Sequence, residues 1–396
     1  MASTQSELQA LVTRLDSARS RLDAMAALLS DTEWTGPYFP VVNPPRWEYG
    51  HIVWFEEHWC LRQKPGMDPG ASPLLAPLEP SVRPWTDWLY DSSRIPHKAR
   101  WEAPVLSVND VIAYGIEVRE RIKTKVATGS FDDHFTYFLE LCLNHELMHT
   151  EAWWMMWQWR GLAPPFLPTL RTLSANMSIA IARGVVTLGS PPERGFVFDN
   201  EKWAHAVSLD AFEIDSRPVK CGEFMEFMSA GGYEKPSWWS EAGRQWLATR
   251  RSHNPLYWRC EDDRWKRRRF DQWVNVADAA LDEPILHVSR FEAEAYAAWR
   301  GRRLPTAAEW VRASNESGFQ LGQCWEWTAS WFAPYPNFTA DPYKDYSVPW
   351  FHTHAELRGA GCMVTDPAIA RPTYRNFFMP DRRDPFVGFR TAKDSA

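Results

Sequence analysis

The chain has 396 residues, 44 Lys+Arg against 50 Asp+Glu for a formal net charge of -6, and 45% hydrophobic residues. That length suggests two domains at roughly 100 to 200 residues each, and the mildly acidic balance excludes the electrostatic footprint of a nucleic-acid binder, despite the local run Lys266-Arg267-Arg268-Arg269. No apolar run approaches the roughly 20 residues that cross a bilayer, so a soluble protein with no membrane partner is expected.

Leu8, Leu11, Val12, Leu15, Leu22, Ala26 and Leu29 recur at helical spacing, which predicts an amphipathic helix over 5–29. The same stretch lacks a charged start, an apolar core and a small-residue cleavage site, so it does not read as a secretory leader. A second helix is predicted over 47–62, entered after Pro44-Pro45 and left before Pro65-Gly66, with a Pro-rich loop behind it. A third follows Ser107, with Asn109 and Asp110 as caps for 111–125 and Gly129 as its end. The fourth is predicted to start at a cap on Asp132 or Asp133, run to Arg160 and stop at Gly161, ahead of Pro164-Pro165. Four helices in this span read as a bundle. Beyond Pro168, short β-like runs such as 185–188 and 205–209 alternate with Gly, Pro and Trp turns and with helical pieces near 220–229 and 290–300. The change of pattern falls between about 165 and 182, which gives a helical domain over 1–170 and an α+β domain over 171–396. Cys60, Cys142, Cys221, Cys260, Cys324 and Cys362 contain no Cys-x-x-Cys, which argues against a disulfide framework or a thiolate zinc site and for a reducing cytoplasm. The 24 tryptophans supply rings that can line pockets and face a cationic ligand.

The chemistry-bearing string is Asn144-His145-Glu146-Leu147-Met148-His149-Thr150-Glu151 on the fourth helix. Residues i and i+4 share one helical face, so His145 and His149 can chelate one metal ion, and Trp153 and Trp157 continue their stripe. The plainer reading is two core histidines with satisfied nitrogens, because an apolar face tolerates an imidazole only when its polar nitrogens find partners. The string also matches His-Glu-x-x-His, the zinc-peptidase motif with Glu146 as general base. Its metzincin extension fails, since Ala152 stands where Gly is required and Met155 where the third His should be, and the next Glu after Glu151 is Glu193. A third ligand is available upstream in His51 of the second helix, with His58, two turns further on, as its rival. Three histidines leave coordination positions open for substrate and oxygen at iron or for water at zinc, and spacing leaves the metal undecided. Glu146 and Glu151 are turned away from the His145/His149 stripe by helical geometry and read as ion-paired within the bundle.

The second half resembles the sulfatase-modifying-factor fold of the formylglycine-generating enzymes. The segments that carry the likeness include Gly184-Val185-Val186-Thr187-Leu188-Gly189-Ser190, Phe198-Asp199-Asn200-Glu201, Arg303-Leu304-Pro305-Thr306-Ala307-Ala308-Glu309-Trp310, Cys324-Trp325-Glu326-Trp327-Thr328 and Gly388-Phe389-Arg390. Those enzymes hold copper with a close cysteine pair, whereas Cys362 has no second cysteine nearby in sequence, so copper chemistry is not expected. A bundle with His51, His145 and His149 fused to such a domain resembles the ergothioneine-type sulfoxide synthases, including their ovothiol and selenoneine branches. The resemblance implies a DinB-like four-helix bundle joined to an α+β sulfatase-modifying-factor, C-type-lectin-like fold. It further implies Fe(2+) on His51, His145 and His149, with hercynine, O2 and a chalcogen donor as substrates. It also makes 374–378 a hercynine-binding loop, with Arg375, Asn376, Phe377 and Phe378 as contacts and aromatic faces for the quaternary ammonium.

Met148 stands where the ergothioneine branch usually has Gln. The segment Tyr90-Asp91-Ser92-Ser93-Arg94-Ile95-Pro96-His97 lacks the arginine pattern associated with γ-glutamylcysteine. This segment, with Asn376-Phe377-Phe378-Met379-Pro380-Asp381-Arg382-Arg383-Asp384, looks like the selenoneine-synthase branch, whose donor is a selenosugar and whose product has a C–Se bond. An ergothioneine-type enzyme using cysteine, γ-glutamylcysteine or a thiosugar remains the alternative, followed by a zinc hydrolase and a non-catalytic binding module. A proton- or hydrogen-donating tyrosine is implied near the iron, with Tyr343, Tyr346 and Tyr335 as candidates. Arg94, Arg100, Arg375 and Arg382 are candidates for donor contacts.

Overall fold

Helix α1, Gln5–Ala26, starts because Thr4 and Glu7 exchange side-chain and backbone hydrogen bonds in a capping box. The apolar spacing then buries Leu8, Val12, Leu15 and Leu22 completely. In the computed structural model, the described residues are 4–63, 78–131, 134–166, 168, 170–192, 195–251, 253–361 and 364–395. The chain divides into two units, Met1–Met156 with Asp341–Asp345, and Trp157–Ala340 with Tyr346–Ala396.

In the first unit, α2 (Pro45–Glu56) begins with Pro at its first position, where no intrahelical N–H is needed. It is buried almost all round and continues into a π-helical turn over Glu57–Leu61. A short helix absent from the sequence prediction, α3 (Thr86–Tyr90), follows Trp85 in the left-handed region at φ 70°. Helix α4 spans Val108–Thr128 and ends on Gly129 at φ 69°. Its cap differs from the predicted one, because the Ser107 side chain accepts the Asp110 N–H while Asn109 and Asp110 lie inside the first turn. Helix α5 runs Phe135–Arg160. The predicted caps Asp132 and Asp133, and the Pro65-Gly66 exit, lie outside the described residues.

One buried cluster ties four helices together. Arg19 of α1 contacts Glu146 of α5 at 2.6 Å and Glu56 of α2 at 3.0 Å, and Arg119 of α4 contacts the same two carboxylates at 3.3 and 2.7 Å. All four side chains are buried, so each depends on the others for the solvation that water would have supplied, and burial, with the neighbouring Glu56, pushes the Glu146 carboxyl up to about 8.

The second unit is α+β. Strands β1 (Ser178–Ile181), β4 (Phe212–Asp215) and β12 (Ala392–Asp394) form an antiparallel sheet in the order β1-β4-β12. The predicted runs become β2 (Gly184–Leu188) and β3 (His205–Leu209), paired with each other. Strands β5 (Trp258–Glu261), β6 (Arg264–Arg269) and β7 (Gln272–Asn275) make a meander. A four-stranded sheet has the order β10 (Asn376–Phe378), β9 (Ala355–Gly359), β8 (Trp325–Trp331), β11 (Val387–Gly388), with only the β8/β11 pair parallel. Helices α6 (Cys221–Ser229), α7 (Glu241–Ala248), α8 (Val276–Ala279), α9 (Arg290–Trp299) and α10 (Ala307–Ala313) accompany them. The basic run on β6 is spent internally. Arg267 and Arg269 both pair with Glu283, Lys266 pairs with Glu261, and Arg268 donates to the Trp159 carbonyl. Among the described residues no helix is long and apolar enough to cross a membrane.

Gly50 on α2 lies under the Tyr90 ring, where a Cβ would stand 2.2 Å from ring carbon Cε1, and the Tyr90 hydroxyl is itself held by the Leu106 N–H at 3.1 Å. Gly50→Ala is expected to destabilise the protein by about 1–3 kcal/mol through overpacking, read as a lower urea midpoint. An unchanged midpoint would show that Tyr90 moves aside freely.

Candidate metal centre

His51 comes from α2, and His145 and His149 from consecutive turns of α5. One ligand atom from each falls within 4.8 Å of the others, and the His145 and His149 Nε2 atoms are 3.2 Å apart. His51 Nδ1 is 2.7 Å from the Tyr90 carbonyl oxygen. That oxygen can only accept, so Nδ1 carries the proton and Nε2 keeps its lone pair. His149 Nδ1 lies 2.6 Å from Glu48 Oε1, which fixes the second imidazole in the same way. His145 Nδ1 has no hydrogen-bond partner. Its ring is held instead by stacking on Phe55, with centroids 3.6 Å apart and planes 3° from parallel. Trp47 stacks on His51 at 5.0 Å.

Burial pushes His51 and His145 well below the usual imidazole range, with neighbouring imidazoles adding to the effect. Neutral rings with outward lone pairs are what a cation needs from its ligands, whereas two bare lone pairs in contact repel. Nitrogens bound at about 2.1 Å in adjacent octahedral positions would lie about 3.0 Å apart, close to the 3.2 Å between His145 and His149 Nε2. The donor set therefore fits a divalent transition metal, and imidazoles alone are compatible with iron, zinc, copper or nickel. His58 is not in the cluster. It lies on the π-helical turn, with the Trp54 ring 5.9 Å from His51 and 5.0 Å from His58.

Glu146 cannot act as the base of a zinc-peptidase site in this arrangement, because both its oxygens face Arg19 and Arg119. Glu151 is also buried. Tyr343 belongs to the segment Asp341–Asp345 of the first unit, and its ring lies 4.8 Å from Phe55 and 5.7 Å from His145. The other two tyrosines belong to the second unit. The Tyr346 hydroxyl meets that of Tyr374, and the Tyr335 hydroxyl accepts from Arg358 at 2.8 Å.

Met148, beside His149, is partly exposed. Arg375 is buried and its two terminal nitrogens donate to the Asn200 and Ala333 carbonyls and to Glu356, each at 2.7 Å, while its Nε has no hydrogen-bond partner. Along β10 the side chains alternate. Phe377 is buried and stacked on Phe332 at 4.2 Å, while Asn376 and Phe378 are partly exposed, with Arg382 over Phe378 at 5.1 Å. Of the arginines considered for a donor, Arg94 pairs with Asp91, Arg382 pairs with Asp384, and Arg100 donates to Asn43 Oδ1 and packs on Trp47. Cys362 lies outside the described residues. Sequence reasoning missed Glu48 and the Tyr90 carbonyl. The available signal for Glu48 was an acid three residues before His51, hence one turn away on the same helix.

Residues 14–153 match the DinB superfamily, and residues 166–321 and 319–395 match the sulfatase-modifying factor enzyme 1-like domain. The chain is 32% identical to a protein of Mycobacterium tuberculosis named hercynine oxygenase, over 95% of this chain and 97% of that protein. It is 31% identical to a hercynine oxygenase of Mycolicibacterium smegmatis over 92% of this chain and 94% of the relative. A formylglycine-generating enzyme of Streptomyces coelicolor is 24% identical over 58% of this chain and 92% of its own length.

Glu48→Ala should weaken metal binding by about 10- to 100-fold by freeing the His149 ring, measured by competition with a metal-binding dye. Unchanged affinity would remove Glu48 from the centre.

Proposed function

Because the chain belongs to the hercynine oxygenase family, with a DinB-superfamily unit followed by a sulfatase-modifying-factor-like unit, we propose that it uses O2 to join a chalcogen to the imidazole C2 of hercynine. Fe(2+) is the proposed metal, held by His51, His145 and His149. The observation that carries the reading is the cluster of three imidazoles with a tyrosine beside it. Within the family we assign the chain to the selenoneine-synthase branch, with a selenosugar as donor. An ergothioneine-type reaction with cysteine, γ-glutamylcysteine or a thiosugar is the alternative. The selenosugar assignment is supported by the Asp91-Ser92-Ser93-x-x-Pro-His97 segment and by the engagement of Arg94 and Arg100 with protein groups.

Bound iron would supply the redox chemistry that O2 requires. The protein's part is orientation and protection. Glu48 and the Tyr90 carbonyl hold two Nε2 lone pairs forward, Phe55 holds the third ring flat, and Trp47 and Trp54 stack beside His51. Holding the reactants at one site replaces a rare encounter by a unimolecular step. Tyr343 gives or takes a proton at its phenolic oxygen. Asn376 and Phe378 are the proposed contacts for hercynine, the aromatic face meeting its trimethylammonium group.

The test is aerobic incubation with hercynine and, in turn, a selenosugar, a thiosugar, cysteine and γ-glutamylcysteine, with products identified by mass. Iron should accompany the purified protein, and His51→Ala should lose metal and turnover while keeping its helical circular dichroism. Tyr343→Phe should retain iron and lose about 10²-fold or more in turnover. Zinc as the bound metal, with no oxygen uptake dependent on hercynine, would overturn the reading.

A further inference from the structure

His51 forms part of the wall of a cavity of about 380 Å³ whose lining residues all belong to the first unit. A single water needs only about 10–15 Å³ on the same measure, so the space suits a small organic molecule. Its charges balance one against another. Arg62 forks onto Asp87 at 2.6 and 2.9 Å, Arg94 pairs with Asp91 at 3.0 Å, and Lys344 and Asp345 add one charge of each sign. Asp87 also accepts the Trp54 indole N–H at 2.7 Å, and Asp91 accepts the Ser93 backbone N–H and hydroxyl. A carboxylate entering this space meets arginines already bound to carboxylates, and stripping it of water without a free partner is costly.

His58 lines the same cavity, with ring centroids 5.0 Å from Trp54 and 4.8 Å from Trp59. Its Nδ1 is sealed from solvent with no hydrogen-bond partner. A buried acceptor without a partner is better tolerated than a buried N–H without one, so the proton belongs on Nε2, the nitrogen left to face the cavity. Burial, reinforced by Arg62, keeps the ring neutral, its pKa lowered to about 4, while Asp87, Asp91 and Arg94 also face it.

We propose that His58 is a specificity-determining contact, donating a hydrogen bond from Nε2 to a hydroxyl oxygen of an uncharged, hydroxyl-bearing co-substrate seated in this cavity beside His51. The proposal rests on reading the three-histidine centre as the place where that co-substrate reacts. Trp54 and Trp59 offer apolar faces to the carbon skeleton of such a molecule, and the neutralised wall asks it for no charge.

The experiment is anaerobic calorimetry of the full-length protein with 1-thio-β-D-glucose and with γ-glutamylcysteine, without hercynine, so that binding is read without turnover. The sugar should bind more tightly than the dipeptide. His58→Phe should weaken sugar binding by about tenfold, the worth of one hydrogen bond, and leave dipeptide binding unchanged. His58→Gln, whose amide N–H reaches the place of Nε2, should restore it to within about threefold. Should the Phe variant fail to fold, His58→Asn, too short to reach that place, should show the same weakening. Equal sugar binding by wild type and variant, preference for the dipeptide, or loss of metal from the His58 variants would each overturn the proposal. Hercynine-dependent oxygen uptake is measured in parallel on the unaltered protein. Its absence would sink the reading of the reaction and leave the binding result to decide the role of His58.

Discussion

The rotation of α5 about its own axis decides whether a metal centre exists, and the cluster of Arg19, Arg119, Glu56 and Glu146 sets that rotation. Adjacent residues on a helix point about 100° apart. With Glu146 drawn to the arginines of α1 and α4, His145 must face another way, and His149, four residues on, follows it toward α2. Removing one partner from a buried pair typically costs about 3–5 kcal/mol because the other charge is left bare. A rotation of α5 that swung the histidines away would incur that cost at Arg19 and Arg119, which would lose Glu146. The charges are thus a register device for the bundle, and the imidazoles inherit their direction from it.

A second set of contacts fixes the rings once the helices are in place, and it works across elements rather than within them. Glu48 of α2 holds His149 of α5, the α3 carbonyl of Tyr90 holds His51 of α2, and Phe55 of α2 carries His145 of α5. Each ligand is oriented by an element other than its own, so the geometry of the three nitrogens reports on the packing of all three helices. Gly50 belongs to this logic, since only a residue without a side chain lets the Tyr90 ring lie against α2 while its carbonyl meets the next residue, His51.

Much of this was legible in the sequence where the signal is periodic. The apolar spacing of α1, the i, i+4 pair on α5 and the glycine that ends α4 are local patterns with local causes. The misses are those in which a tertiary partner decides. Ser107 rather than Asn109 or Asp110 caps α4, because the chain enters the helix earlier than the apolar pattern begins. Helix α3 is five residues long, too short to show a period. The membership of Asp341–Asp345 in the first unit carries no local mark, so of the three tyrosines only the folded chain separates Tyr343 from the other two. On β10 the alternation that buries Phe377 and leaves Asn376 and Phe378 partly exposed becomes readable only once the segment is known to be a strand.

The string His145-Glu146-Leu147-Met148-His149 shows how far a motif carries. In a hydrolytic zinc site the glutamate between the histidines must reach a water on the metal. Here the same spelling places that carboxylate against two guanidinium groups in the bundle core, where its oxygens are consumed. What stands beside the imidazoles instead is a phenol supplied by a distant segment of the chain. The histidine spacing is the part of the motif that helix geometry guarantees. The function of the residue between them is set by what the neighbouring helices present to it, and here Arg19 and Arg119 make it structural.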